Sequence, residues 1–94
     1  ITSKEIAKFI DGKLSGKDDI QIKGAFDLIP GKKSFISFLN NDSSLDLLKK
    51  TKSDLIIVSN TIDLNKVSKS IISTTNPKKS FFEIVKKYFE IEVN

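Results

Sequence analysis

An α/β fold, in one small domain with a mixed sheet of about four to five strands packed with about three helices, is predicted by three features of the sequence. Residues 55–58, Leu-Ile-Ile-Val, form an unbroken apolar run, as a strand covered on both faces by helices requires. Both ends of the chain carry apolar residues at helical spacing behind a capping signal. Between those ends the pattern breaks into strand-length pieces separated by turn residues. The 94 residues supply one modest core and leave no room for a second lobe.

The first helix is marked by Thr2 as cap, Glu5 three residues on as its reciprocal partner, and Ile1 placed to staple against Ile6. Ile6, Phe9 and Ile10 form its apolar stripe, and Gly12 is expected to end it in the left-handed conformation. Leu14 opens a short extended piece and residues 16–19 read as a turn. Ile20 and Ile22 then alternate with Gln21 and Lys23 as in a half-buried strand. Gly24 and Ala25 permit close backbone approach, and Pro30-Gly31 is turn chemistry with a positive φ at the glycine. Residues 34–39 follow as a strand. Asp42 or Ser43 caps a helix reaching about Lys50, with Leu45 and Leu48 on its inner face and Lys49, Lys50 and Lys52 near its negative end. Residues 55–58 are the central strand, and residues 59–67 a polar, mobile connection. Ile71 and Ile72 mark another strand. Asn76-Pro77 is a cap and first-turn pair before a last helix whose stripe is Phe81, Ile84, Val85 and Tyr88, widened by Phe82 and Phe89.

Composition narrows the chemistry. Cysteine and histidine are both absent, so this segment has no disulfide, no thiolate, no zinc ligand of the usual kinds and no imidazole proton shuttle. The net charge is +4, and all 16 basic residues are lysine, set beside 12 acids. Base readout and bidentate phosphate capture favour the planar fork of arginine, so nucleic-acid binding is not expected. No apolar run approaches a membrane span and no signal sequence opens the chain, which predicts a soluble protein. Methionine is missing, at position 1 as elsewhere, so the chain is expected to be a piece of something longer.

Each candidate site has a plain structural reading beside the functional one. Phe38 ends its strand with a ring able to stack a flat heterocycle, while the pattern alone reads it first as core. Asn40 and Asn41 offer amide groups to a base edge or a ribose, or simply satisfy the turn. Lys78 and Lys79 at the start of the last helix suggest an anion, although exposed lysines tolerate that position. Asp18 and Asp19 are turn residues, since nothing nearby would separate their pKa values. The glycines are too scattered for a dinucleotide fingerprint or a P-loop.

Read in order, TSKEIAKFIDGKLSG (residues 2–16), IQIKGAFDL (20–28), ISFLNN (36–41), LLKKTKSDLIIVS (47–59) and NPKKSFFEIVKKYF (76–89) resemble the N-terminal domain of the UDP-3-O-acylglucosamine N-acyltransferases of lipid A biosynthesis, the LpxD family. The resemblance covers essentially the whole chain. It implies a Mur-ligase N-terminal-like uridine-binding domain over residues 1–94, ahead of a left-handed β-helix that the chain does not include. In that family uracil lies between a phenylalanine at a strand end and a tyrosine six residues on, with an asparagine between. Phe38 matches the phenylalanine, Asn41 the asparagine, and Ser44 stands in the tyrosine's place. Asp42 replaces the proline that commonly follows the asparagine.

By the same resemblance the general-base histidine and the acyl groove belong to the β-helix, so this chain alone has no catalytic residue, no metal and no cofactor. The expected ligand is a UDP-sugar. Acyl carrier protein docks through the absent domain, the parent is a cytoplasmic homotrimer and the fragment a monomer. Two other readings stay open. One is a spacer or protein-contact module of the same fold that has lost the nucleotide, favoured by Ser44 and Asp42. The other is the first domain of a Mur-type ligase, which requires a P-loop further along.

Overall fold

The computed structural model describes residues 1–40, 45–63 and 68–89. Its centre is β4 (Leu55–Ser59), buried at every position. Successive strand side chains point to opposite faces, so Leu55 and Ile57 enter one core while Ile56 and Val58 enter another. β3 (Phe35–Phe38) and β5 (Ser70–Thr74) flank β4 and run parallel to it. β2 (Gly24–Ala25) adds in parallel beyond β3, and β1 (Lys13–Ser15) adds antiparallel beyond β5. The mixed five-stranded sheet, in the order β1-β5-β4-β3-β2, is the architecture expected from the sequence.

Helices close both faces. α1 (Ser3–Phe9) and α3 (Pro77–Ile84) cover the first, where Ile6, Ala7 and Ile84 meet Ile36, Leu55, Ile57 and Ile72. The short α2 (Leu47–Lys50) covers the second, where Leu39 and Leu48 meet Ile56, Val58 and Ile71. Each fully buried aliphatic side chain contributes about 1.5–3 kcal/mol, so these two cores carry most of the driving force.

The helix starts follow the sequence. Thr2 Oγ1 accepts the Glu5 amide at 3.2 Å, and the Glu5 carboxylate accepts the Thr2 amide at 3.1 Å and its hydroxyl at 3.0 Å. Those bonds from Thr2 hold the Glu5 carboxyl below the usual glutamate range. Asn76 caps α3, its side-chain oxygen accepting the Lys79 amide at 3.1 Å, with Pro77 in the first turn.

Four local expectations are corrected. The left-handed residue that ends α1 is Asp11, at φ 52°, and not Gly12. Gly12 is small for another reason: a Cβ there would collide with Ile72 Cγ2 and lie 3.2 Å from the Ser73 carbonyl oxygen. Residues 20–22 do not form a strand; apart from one antiparallel bridge between Thr2 and Gln21, their backbone groups are taken by the entrance to α1. Ser3 N donates to Ile20 O at 2.9 Å and Ile22 N to Ile1 O at 2.8 Å, while Ser3 Oγ donates to Lys17 O at 2.8 Å. Leu45 precedes α2 and is exposed, so Leu47 and Leu48 make the inward contact. The proposed caps Asp42 and Ser43, and residues 64–67 of the polar connection, lie outside the described residues.

The last correction concerns the final helix. Ser80 and Ile84 face the sheet, Phe82 is exposed, and from Val85 to Phe89 the helix continues as a π-helical turn. The wider turn breaks the 3.6-residue stripe, and Tyr88 emerges at the surface edge-to-face with Phe9, ring centroids 5.4 Å apart. Gly31 does take the expected positive φ, at 75°.

Two tests follow from this packing. Gly12→Ala should destabilise the chain by about 1–3 kcal/mol in urea denaturation, because overpacking forces Ile72 and β5 to move, whereas Asp11→Gly, at the true left-handed position, should not destabilise it. Glu5, with its native pKa depressed, stabilises the fold fully above the ordinary glutamate value and loses that contribution as pH falls through the depressed one. The stability difference between pH 7 and pH 3 should therefore shrink in Glu5→Gln.

Candidate functional site

Parallel strands place all their carboxyl ends on one rim, where open α/β sheets hold ligands. Here that rim receives Phe26 after β2, Phe38 and Leu39 at the end of β3, Asn60 after β4 and Thr75 after β5. α3 leaves the rim beside β5, packs over β4 and β3, and its π-helical turn ends against β2. The diagonal brings the aromatic residues of the last helix to the first parallel strand.

Phe38 is half-buried. Its ring packs against the first core and meets Phe81 at 4.8 Å between centroids, tilted by 41°. It therefore has a packing contact together with partial exposure at the rim. Phe81 continues the run of rings to Phe82, 6.0 Å away and near perpendicular. Asn40 is exposed, while Asn41, Asp42 and Ser44 lie outside the described residues. The structure thus describes one of the three nucleotide-binding residues expected from the sequence.

Sequence reasoning assigned no role to the groove beside Phe38. A groove of about 310 Å³ runs between the end of β2 and the last helix, lined by Phe26, Asp27, Phe81, Phe82, Val85 and Phe89. Phe82 is 56% and Phe26 42% exposed, and both line the same concave space. Phe82 reads as core because it widens a helical stripe, yet the face of α3 that meets the sheet is that of Ser80 and Ile84, which leaves Phe82 outside.

A hydrogen-bonded chain holds the β2 side of the groove. Lys32 N donates to Ser53 Oγ at 3.3 Å, Ser53 Oγ pairs with Ser37 Oγ, and Ser37 Oγ donates to Phe26 O at 2.8 Å. Both serines are fully buried, so each hydroxyl must find a partner, and this donor order satisfies all three contacts. Phe26 N in turn donates to Ile36 O at 3.0 Å, and Phe26 packs edge-to-face on Phe35 at 6.2 Å. The backbone at Phe26 and Asp27 is thereby fixed to the middle of β3.

A more polar cavity of about 380 Å³ lies at the ends of β4 and β5, among Asp11, Lys13, Asn60, Thr75 and Ser80. There the two chain exits part, that of β4 toward the second core through Ile62 and that of β5 into α3 on the first. At the opposite, amino-end rim a third cavity of about 360 Å³ includes Lys17, Asp54 and Lys69. Its Lys69 ammonium is committed to the carbonyls of Thr51 at 2.7 Å and Ser53 at 3.2 Å, a structural role.

The other candidates keep their structural readings. Asp18 and Asp19 are exposed turn residues, Asp18 accepting the Lys4 amide at its carbonyl. Lys78 and Lys79 are exposed on α3. Among the described residues no group of acidic side chains is placed to hold a metal ion, and no helix is long and apolar enough to cross a membrane.

No family model matches the chain. It is similar to the UDP-3-O-acylglucosamine N-acyltransferase of Christiangramia forsetii, 23% identical over 94 residues that cover 99% of this chain and 28% of that protein. It is also similar to the enzyme of the same name from Methylacidiphilum infernorum, 28% identical over 82 residues, covering 87% of this chain and 23% of that protein. The chain spans about a quarter of the length of these curated relatives. The resemblance read from the sequence is borne out by both.

Ser37→Ala removes the donor to Phe26 O inside a buried chain, and a stability loss of about 1–3 kcal/mol is expected. The backbone amide signals of Phe26 and Asp27 should shift in the same variant, while those of α1 stay in place.

Proposed function

We propose that this chain is the uridine-nucleotide-recognition domain of an N-acyltransferase that transfers a 3-hydroxyacyl group from acyl carrier protein to UDP-3-O-acylglucosamine. The similarity to two enzymes of that name along nearly the whole chain supports the reading. The single structural observation that carries it is the half-buried ring of Phe38 at the carboxyl end of β3, the rim where sheets of this kind take ligands. Phe38 would stack the uracil, Asn41 would bond its edge, and Ser44 stands where the relatives' family places a second ring. The parent would be a cytoplasmic homotrimer.

In this role the domain holds the UDP-sugar in register and lowers the entropic cost of reaction, while proton transfer belongs to residues elsewhere in the parent. A chain without histidine has no imidazole base to offer, so the chain alone should show no turnover. Ser44 favours a second reading, a spacer of the same fold without a ligand, since one lost aromatic wall forfeits on the order of 1–3 kcal/mol.

Chemical-shift titration with UMP and UDP separates the two. Binding is expected in the high micromolar range or weaker. Ser44→Tyr should tighten it by roughly tenfold to a hundredfold, and Phe38→Leu should weaken it. No saturation in millimolar UMP would overturn the nucleotide reading and leave the spacer.

A further inference from the structure

We infer that Phe81 is a positioning residue for the nucleotide base: its ring, carried on α3, holds the ring of Phe38 at the angle on which the base stacks. The inference rests on the nucleotide reading and keeps the base at the end of β3. It gives a role to a residue that the sequence places only in a helical stripe.

A ring binds a flat partner best when it is already still, because side-chain freedom lost on binding subtracts from the affinity. The backbone at Phe38 is still. Phe38 is paired in register with Ile57 of β4, and Leu39 N donates to Ile57 O at 2.9 Å. What remains free is the rotation of the side chain, at the open end of a strand where the ring is only half-buried. Phe81 is the one ring that meets it among the described residues, with centroids 4.8 Å apart and planes tilted by 41°. That separation is at the short end of the range in which aromatic rings attract, so each ring restrains the rotation of the other.

Phe81 is itself held by the seating of α3. The Asn76 side chain accepts the Lys79 amide at 3.1 Å and its carbonyl accepts the Ser80 amide at 3.0 Å, which fixes where the helix begins. Ser80 Oγ donates to Thr74 Oγ1 at 3.4 Å, and Ile84 is completely buried in the first core. Between those two anchors Phe81 is partly buried against the same core, beside Phe38, while Phe82 is turned to solvent. The set of the Phe38 ring is thereby tied to the end of β5 and the start of α3. Because Ser44 offers no second ring, the base has one aromatic wall, and how firmly that wall is held decides the binding.

The test is a titration of the full chain with UMP in the wild type, Phe81→Leu, Phe81→Tyr, Ile84→Val and Phe38→Leu, followed by backbone amide shifts and by the uracil H5 and H6 signals, with urea midpoints run in parallel. Phe81→Leu keeps apolar bulk and loses the ring. UMP affinity should fall roughly threefold to tenfold, and the ring-current shift of H5 and H6 extrapolated to saturation should shrink. Phe81→Tyr keeps the ring and should match the wild type in both. Ile84→Val loosens the same helix on the same core without removing a ring, so it should lower the urea midpoint and leave UMP binding unchanged. An equal loss of affinity in Ile84→Val and Phe81→Leu would reduce the effect to general loosening and overturn the inference. Binding in Phe81→Leu as tight as in the wild type, or tighter, while Phe38→Leu weakens it, would also overturn it and leave the nucleotide reading intact. If the wild type does not bind UMP at all, both fall.

Discussion

The burial of β4 on both faces is the constraint on which the rest depends. Leu55 and Ile57 on one side and Ile56 and Val58 on the other are completely shielded from water. A sheet centred on such a strand needs a layer on each face, and the chain meets that need with α1 and α3 on one and α2 with the flanking loops on the other. Parallel pairing of β2 to β5 follows from the connections that cross back over those faces, and with it comes a single rim carrying the carboxyl ends of these four strands. The rim was a consequence of covering the core before it was a place for a ligand.

Polar side chains tune that scaffold where apolar packing cannot. Ser37 and Ser53 sit fully buried beside the second core and tie the end of β2 to the middle of β3, stiffening the edge strand that would otherwise be held by two residues. Lys69 bridges the carbonyls that follow α2, and Ser3 fastens the segment after β1 to the start of α1. Among the described residues no buried side-chain nitrogen or oxygen lacks a partner. The aromatic groove lies where this polar stitching meets the diagonal of α3, so its two walls are positioned by different kinds of force.

Much of the fold was legible in the residues, and the failures have distinct physical causes. The capping box at Thr2 and Glu5 and the Asn76 cap were readable because both partners lie within one turn of sequence. The central strand was readable because its burial shows as composition. Residues 20–22 carried the alternation of a strand, but alternation reports only which side is buried, and their hydrogen bonds go to a helix entrance. Gly12 was read through its backbone freedom when its meaning was the approach of Ile72. Of the candidate site, Phe38 was legible as a ring at a strand end, whereas the groove lined by Phe26 and Phe82 was not, since its two sides come to line one space only when α3 crosses the sheet.

Sequence alone determined the class of fold, the helix starts, the double burial of residues 55–58, the absence of imidazole and thiol chemistry within the segment, and a family resemblance spanning it. These properties are local or compositional, and local rules are enough to read them. The tertiary structure decided the strand order, the outward turn of Phe82 and Tyr88, and the gathering of rings at the carboxyl end of β2. Those depend on the angle at which one helix lies across a twisted sheet, a quantity set by the packing of all the layers together and written in no single stretch of the chain.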